Sequence, residues 1–411
     1  FILTVGSNPK SIEAQITVRP DHPRIWITND NITEIRERNL YGSAQPYWER
    51  IKQIADNPPR SDIWDAPYLA FAYQITGDTS YADKVIEILK TCDPLIPGDD
   101  GKSSWRPAVA FDWCYNRMTQ EDKRVIINRF LQEKYLDPSW TVPRLNVGGE
   151  GTFVNWDYHI RFAPAMLGLA LAGEHPYADT ALAAGYVFFD DAFKVMEKIF
   201  PDGEWTEGFH YRKHASKFAY AYFKALKTAT GIDYFTGSSH LQNTGYYEMY
   251  GVRPDNTYSR IGDIFNVTAI GAQRSVFLII NSEYRNPHYQ WYLNHNLDFA
   301  KFITEPTFHP LNPLLIGALF YDDSIPEELP TTLPLAMHFR GWGTVYMRTG
   351  WDIGTYDNPG TDTFIEFHCG DYYSYHNHFD SNTFNIYKGG ALVVENGGYG
   401  VPQTVAHNTI L

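Results

Sequence analysis

Two periodicities divide the chain. In the first twenty residues apolar and polar positions alternate, so Phe1-Ile2-Leu3-Thr4-Val5 and Ile12-Glu13-Ala14-Gln15-Ile16-Thr17-Val18 read as strands. From a helix predicted at about 32–39 until about residue 300, apolar residues instead recur three and four positions apart. The stretches 65–76, 80–91, 105–117, 121–133, 162–173, 177–200 and 211–231 each carry this stripe. Breakers at Thr76-Gly77-Asp78, Pro94, Pro138 and Gly231 separate them. Paired amphipathic helices joined by short turns predict an α-helical toroid or solenoid.

After Pro330 the period returns to two, and 343–348, 363–367, 383–387 and 391–394 read as an antiparallel sheet. Such a sheet has open edges, so more chain is expected beyond Leu411. The expected organisation is the end of a small β module over 1–20, a helical domain over 21–330, and the start of a β-sandwich domain over 331–411.

Composition changes this picture in three places. Aromatic residues make up 16% of the chain, which fits stacking on sugar faces and also fits large aromatic cores. The net charge of −14 argues against nucleic acid, whose phosphates need a basic surface. It leaves room for an anionic polysaccharide in a locally basic groove, because steering depends on local fields. Cys92, Cys114 and Cys369 have no metal-binding spacing and read as unpaired thiols. No apolar run approaches the roughly 20 residues that span a bilayer. The chain opens in mid-strand, so a leader removed upstream, with a periplasmic or secreted location, is the expectation. Asn31-Ile32-Thr33 and Asn266-Val267-Thr268 match the glycosylation acceptor pattern, a weak signal read as coincidental.

The densest chemistry is His376-Asn377-His378-Phe379-Asp380, between two strand-like runs. Residues two apart in extended backbone share a face, which sets two imidazoles side by side. With Glu395 and His407 downstream, they suit either a metal site or an acid–base site. Two more runs stand out. Asn155-Trp156-Asp157-Tyr158-His159-Ile160-Arg161 opens a helix, and Asp202-Gly203-Glu204-Trp205-Thr206-Glu207-Gly208-Phe209-His210-Tyr211 enters another. Plain structural roles stand beside the chemical ones: Asn155 as a helix cap, Tyr211 as core packing, and Arg161, Arg212, Lys213 and Lys217 as solvated surface.

These runs, with Tyr387-Lys388-Gly389-Gly390-Ala391-Leu392-Val393-Val394-Glu395-Asn396-Gly397-Gly398-Tyr399 and Ala406-His407-Asn408, resemble the heparinase II/III polysaccharide lyases. The resemblance runs from about Pro23 onward. It implies a multidomain α+β protein, with an incomplete (α/α) toroid followed by an antiparallel β-sheet domain. It also implies β-elimination on a uronic-acid polymer, a glycosaminoglycan such as heparan sulfate, chondroitin or hyaluronan. Alginate cleavage, uronate C5 epimerisation and carbohydrate binding without chemistry are the alternatives.

The resemblance places Asn155 on the substrate carboxylate, Tyr211 as the catalytic tyrosine and His376 as the catalytic histidine. The chemistry needs these types. The C5 proton beside an ionised carboxylate is a very weak acid, so a donor must share the developing charge while a base reaches C5 and an acid meets the leaving oxygen. Some relatives have His directly after the Asn. Trp156 stands there in this chain, and His159, one helical turn on, is the candidate assistant. Trp156 and Trp205 are candidates for sugar stacking. Arg161, Arg212, His210 and His214 are candidates for substrate contact, with Lys213 and Lys217 near them. The resemblance also implies one divalent metal, zinc with manganese as the alternative, in a structural role at His378, Glu395 and His407.

Overall fold

The computed structural model describes residues 2–5, 14–91, 105–132, 153–264, 272–295, 311, 313–373, 376–393 and 403–409. A short hairpin of β1 (Ile2–Val5) and β2 (Ala14–Thr17) opens the chain. The helices follow: α1 (Ile32–Tyr41), α2 (Gln45–Asp56), α3 (Ala66–Thr76), α4 (Thr79–Thr91), α5 (Trp105–Cys114) and α6 (Gln120–Gln132). Then come α7 (Asn155–Leu171), α8 (Pro176–Ile199), α9 (Gly208–Thr230), α10 (Ser239–Gly251), α11 (Ala272–Tyr284), α12 (Pro287–His295) and α13 (Pro313–Phe320).

The helices form a toroid. Each helix packs on another one or two places away in the chain, and α13 comes round to pack on α1 and α2. Asn39 donates to the Ala318 carbonyl at 2.7 Å and Arg38 to Leu319 at 2.8 Å, which ties that closure. Helix α7 lies at the centre of its half, touching α5, α8 and α9. From Arg161 to Leu171 every side chain on it is buried, as expected of a helix enclosed on all sides.

Close approach makes this possible. A Cβ on Gly168 would sit 2.4 Å from the Leu182 backbone nitrogen of α8, and one on Gly185 2.4 Å from the Ala165 Cβ. Gly168→Ala is therefore expected to destabilise the fold by about 1–3 kcal/mol through overpacking. A chemical-denaturation midpoint equal to that of the native protein would contradict this packing.

The second unit is an antiparallel sheet in the order β3 (Ala336–Phe339), β4 (Thr344–Arg348), β5 (Thr363–His368), β6 (Thr383–Lys388) and β7 (Ala391–Val393). In β4 the buried positions are Thr344, Tyr346 and Arg348. Tyr346 lies against Phe209 and Tyr247 of the toroid, with ring centroids 6.4 and 6.2 Å away. Arg348 is capped by the Trp351 ring at 4.0 Å and reaches the Met249 and Val252 carbonyls at the end of α10. Toroid and sheet thus share one continuous core.

Among the described residues no helix is long and apolar enough to cross a membrane. Cys114 is buried and Cys369 exposed, both unpaired; Cys92 and Asn266 lie outside the described residues.

Candidate active site and metal centre

Three segments meet at the seam between toroid and sheet. The first is the start of α7, with Asn155 as its first residue. The second is the 204–211 run, where Gly208, at φ +71°, opens α9. The third is the loop from His376 to Asp380 between β5 and β6. The segment Ile261-Gly262-Asp263 lies against both of the last two. A Cβ on Gly208 would fall 2.4 Å from the Ile261 carbonyl oxygen, and one on Gly262 3.1 Å from that of His376. Asp263 N–H donates to the His376 carbonyl at 3.1 Å, and the Asn377 side-chain amide donates to the Thr206 carbonyl. Backbone contact therefore fixes the meeting point before any side chain is considered.

Tyr211 and His376 stack with centroids 3.5 Å apart and planes 7° from parallel. Beside them Glu207 is buried and gathers three donors. Asn155 backbone N–H donates at 2.8 Å, its side-chain amide at 2.9 Å, and the Trp205 indole at 3.0 Å. Glu207 Oε1 lies 4.0 Å from His376 Nε2. Burial pushes the Glu207 carboxyl up to about 7, against the pull of the Asn155 and Trp205 donors and of His376. The structure thus brings Tyr211, His376 and Asn155 together, with Glu207 joining the amide to the aromatic pair.

His159 is buried near them, its ring 5.2 Å from His214 and 4.7 Å from Phe218. His214 lies 6.2 Å from Tyr211 and 5.8 Å from His210. Burial lowers His210 to about 4, helped by Lys213 and His376. Burial also takes His214 well below the usual imidazole range, helped by Lys217, His159, Lys213 and His210. At neutral pH these two rings are therefore uncharged hydrogen-bonding groups. Trp156, 43% exposed and 6.1 Å from His159, is an accessible aromatic at the same place.

Three of the residues expected to meet substrate are instead buried in packing and hydrogen bonds. Trp205 is 1% exposed, packs edge-on to Tyr158 at 5.5 Å and gives its indole N–H to Glu207, so neither face can stack on a sugar. Arg212 is fully buried in an ion pair with Glu248 and donates to the Thr244 carbonyl at 2.7 Å and hydroxyl at 2.6 Å. Arg161 is buried against Asp157, one turn back, and lies 4.4 Å from the Phe188 ring. Both guanidiniums serve the toroid's core. Lys217 is buried beside Phe218 as well, and Lys213 is half-buried, its ammonium pulled down by desolvation.

The second cluster adjoins the first. His378, Asp380 and His407 each offer one ligand atom, all within 4.8 Å of one another, and all three residues are buried. The His378 and His407 rings are 5.1 Å apart at 47°. Two imidazoles and one carboxylate in a buried pocket form a donor set that suits a divalent transition metal. Among the described residues the carboxylate is Asp380; Glu395, the carboxylate implied by the family resemblance, lies outside them. His378 and Asp380 are two residues apart in the 376–380 loop, which brings their ligand atoms within 4.8 Å of each other.

Two residues of this region carried no recognisable signal. Glu207 looks like any acidic residue before a helix. Asp263 accepts from both histidines of the His-x-His run, Oδ2 to His376 Nδ1 at 2.7 Å and Oδ1 to His378 Nε2 at 2.8 Å.

No family model and no curated protein sequence matches the chain. Solved structures do. The heparinase III BT4657 gene product with methylated lysines aligns at a TM-score of 0.50 and 14% identity, over 96% of this chain and 64% of that one. The mutant heparan sulfate lyase HepC from Pedobacter heparinus aligns at 0.48 and 14% identity, over 92% of this chain and 57% of that one. The chain spans about three fifths of the length of these proteins. Its toroid-then-sheet architecture is similar to that of a heparinase III, and the fold is that of a heparinase-like polysaccharide lyase.

Proposed function

We propose that the protein is a polysaccharide lyase cleaving a uronic-acid polymer, with a glycosaminoglycan as the substrate class. The observation that carries this reading is the parallel stack of Tyr211 on His376 beside the Asn155–Glu207 pair. In this reading the substrate carboxylate meets the Asn155 amide, which is held by Glu207 and shares the charge that develops when C5 loses its proton. His376 Nε2, or the Tyr211 oxygen in its phenolate form, takes that proton, according to the C5 configuration. The C5–H electron pair becomes the C4–C5 double bond, the C4–O bond breaks, and the departing oxygen takes a proton from the Tyr211 phenol. The products are a 4,5-unsaturated uronate and a new chain end. His210 and His214 offer neutral donors around the reacting sugar, His159 lies behind His214, and Trp156 offers an aromatic face.

Zinc is the metal we assign to His378, Asp380 and His407, where it would clamp the 376–380 loop to the segment bearing His407. We place the toroid domain at 21–330 and the sheet domain at 331–411. A polymeric substrate places the enzyme outside the cytoplasm, in the periplasm or secreted.

The test is incubation of the protein with heparan sulfate, chondroitin, hyaluronan and alginate. The expected result is new ultraviolet absorbance from the conjugated uronate on at least one glycosaminoglycan. Deuterium uptake at C5 from solvent without absorbance would make it an epimerase, and binding with neither signal would make it a non-catalytic binder. Either outcome overturns the reading.

A further inference from the structure

We propose that Asp263 is a positioning residue that sets two histidines in opposite tautomers, tying the candidate metal centre to the candidate base. An ionised carboxylate only accepts hydrogen bonds. Its Oδ2 faces His376 Nδ1 at 2.7 Å, so that nitrogen carries the hydrogen and Nε2 keeps its lone pair. This is the nitrogen on the Glu207 side, 4.0 Å from Oε1, where a base is wanted. Its Oδ1 faces His378 Nε2 at 2.8 Å, so His378 carries its hydrogen on Nε2. Nδ1 of His378 then keeps the lone pair. That atom is buried and takes no hydrogen bond from the described residues, as a metal ligand should.

The backbone supports the same arrangement. Asp263 N–H holds the His376 carbonyl at 3.1 Å, and Gly262, at φ +78°, is packed against that carbonyl too closely for ready accommodation of a side chain. The carboxylate is thus pinned between the two rings and presents one oxygen to each. A neutral amide at this position has a single acceptor oxygen. It would leave one histidine facing an NH2 group, and that ring would have to shift its hydrogen to the far nitrogen. Asp263 thereby makes occupancy at His378 and readiness at His376 depend on the same side chain.

The test reads tautomers directly. In metal-free protein labelled with 15N-histidine, long-range 1H–15N spectra at pH above 7 are expected to show His376 as the Nδ1–H form and His378 as the Nε2–H form. His376→Ala and His378→Ala spectra supply the assignments. In Asp263→Asn one of the two is expected to switch. Zinc affinity, from competition with a chelator, is expected to fall about 10–100-fold, as for the loss of other outer-shell partners.

If the native protein shows both rings as Nε2–H, the proposal is wrong. It is equally wrong if Asp263→Asn folds and leaves tautomers and zinc affinity unchanged. Should that variant fail to fold, the native spectrum decides alone. The activity arm rests on the lyase reading: kcat on a cleaved polymer drops on the order of 10²-fold in Asp263→Asn while KM stays within about threefold. The tautomers need no substrate, so a protein with the expected spectrum and no lyase activity would sink the functional reading and leave this one standing.

Discussion

Tyr211→Phe is expected to lower kcat on the cleaved polymer by about 10²–10⁴-fold, the usual contribution of a positioned proton donor. The substitution removes one oxygen and keeps the ring, so the stack on His376, 3.5 Å away and 7° from parallel, survives with its packing. KM and thermal stability should therefore hardly move. His376→Ala removes a ring from the same stack and is expected to cost as much in rate, with some loss of stability as well. A Tyr211→Phe protein with native turnover on every polymer the native enzyme cleaves would refute the phenol's part. The assay is initial-rate ultraviolet absorbance, with circular dichroism as the control for folding.

The second large effect concerns pH. Burial raises Glu207 to about 7, above the ordinary glutamate value of 4.5. Below about 7 it takes a proton, one of its oxygens becomes a donor, and it can no longer accept all three N–H groups from Asn155 and Trp205. Activity is expected to fall on acidification through that value, and Glu207→Gln should abolish the limb while lowering kcat about 10–100-fold by disordering Asn155.

Stability runs the other way. A carboxyl raised on folding binds its proton more tightly in the native state. Its contribution is therefore largest below 4.5 and is lost as pH rises to about 7. Glu204, also pushed up to about 7 by burial, adds to that slope. Rate rising while stability falls over one pH interval is the signature to look for. An acidic limb that persists unchanged in Glu207→Gln would remove Glu207 from the account.

How much of this could be read from sequence depends on how local each signal is. Helix α4 buries Tyr81, Ala82, Val85, Ile86, Ile88 and Leu89, a stripe visible in the spacing alone. Helix α10 is buried nearly all round, from His240 through Glu248 to Gly251, so polar and apolar residues are mixed and no stripe exists to find. Strand β3 is an edge with only Phe339 buried, which leaves no alternation. The Arg161–Asp157 pair has a local four-residue helical spacing, although from sequence Arg161 reads as substrate contact or solvated surface. Glu248, by contrast, is 36 residues from Arg212 and has no local spacing at all. The same distinction separates Tyr211 and His376, which stand in conspicuous runs, from Asp263. Its importance arises only when residues 113 and 115 positions further along fold onto it.

The six-pair register of β5 on β6, from Thr363 opposite Lys388 to His368 opposite Thr383, closes on the loop that carries His376, His378 and Asp380. A slip of one residue would turn every side chain of a strand to the other face and re-aim that loop as a whole. The tolerance of the chemistry is thus written into hydrogen-bonded pairing some distance from any reacting atom. Insertions in the hairpin's flanks, though remote from sugar and metal alike, become as consequential as changes to the imidazoles themselves.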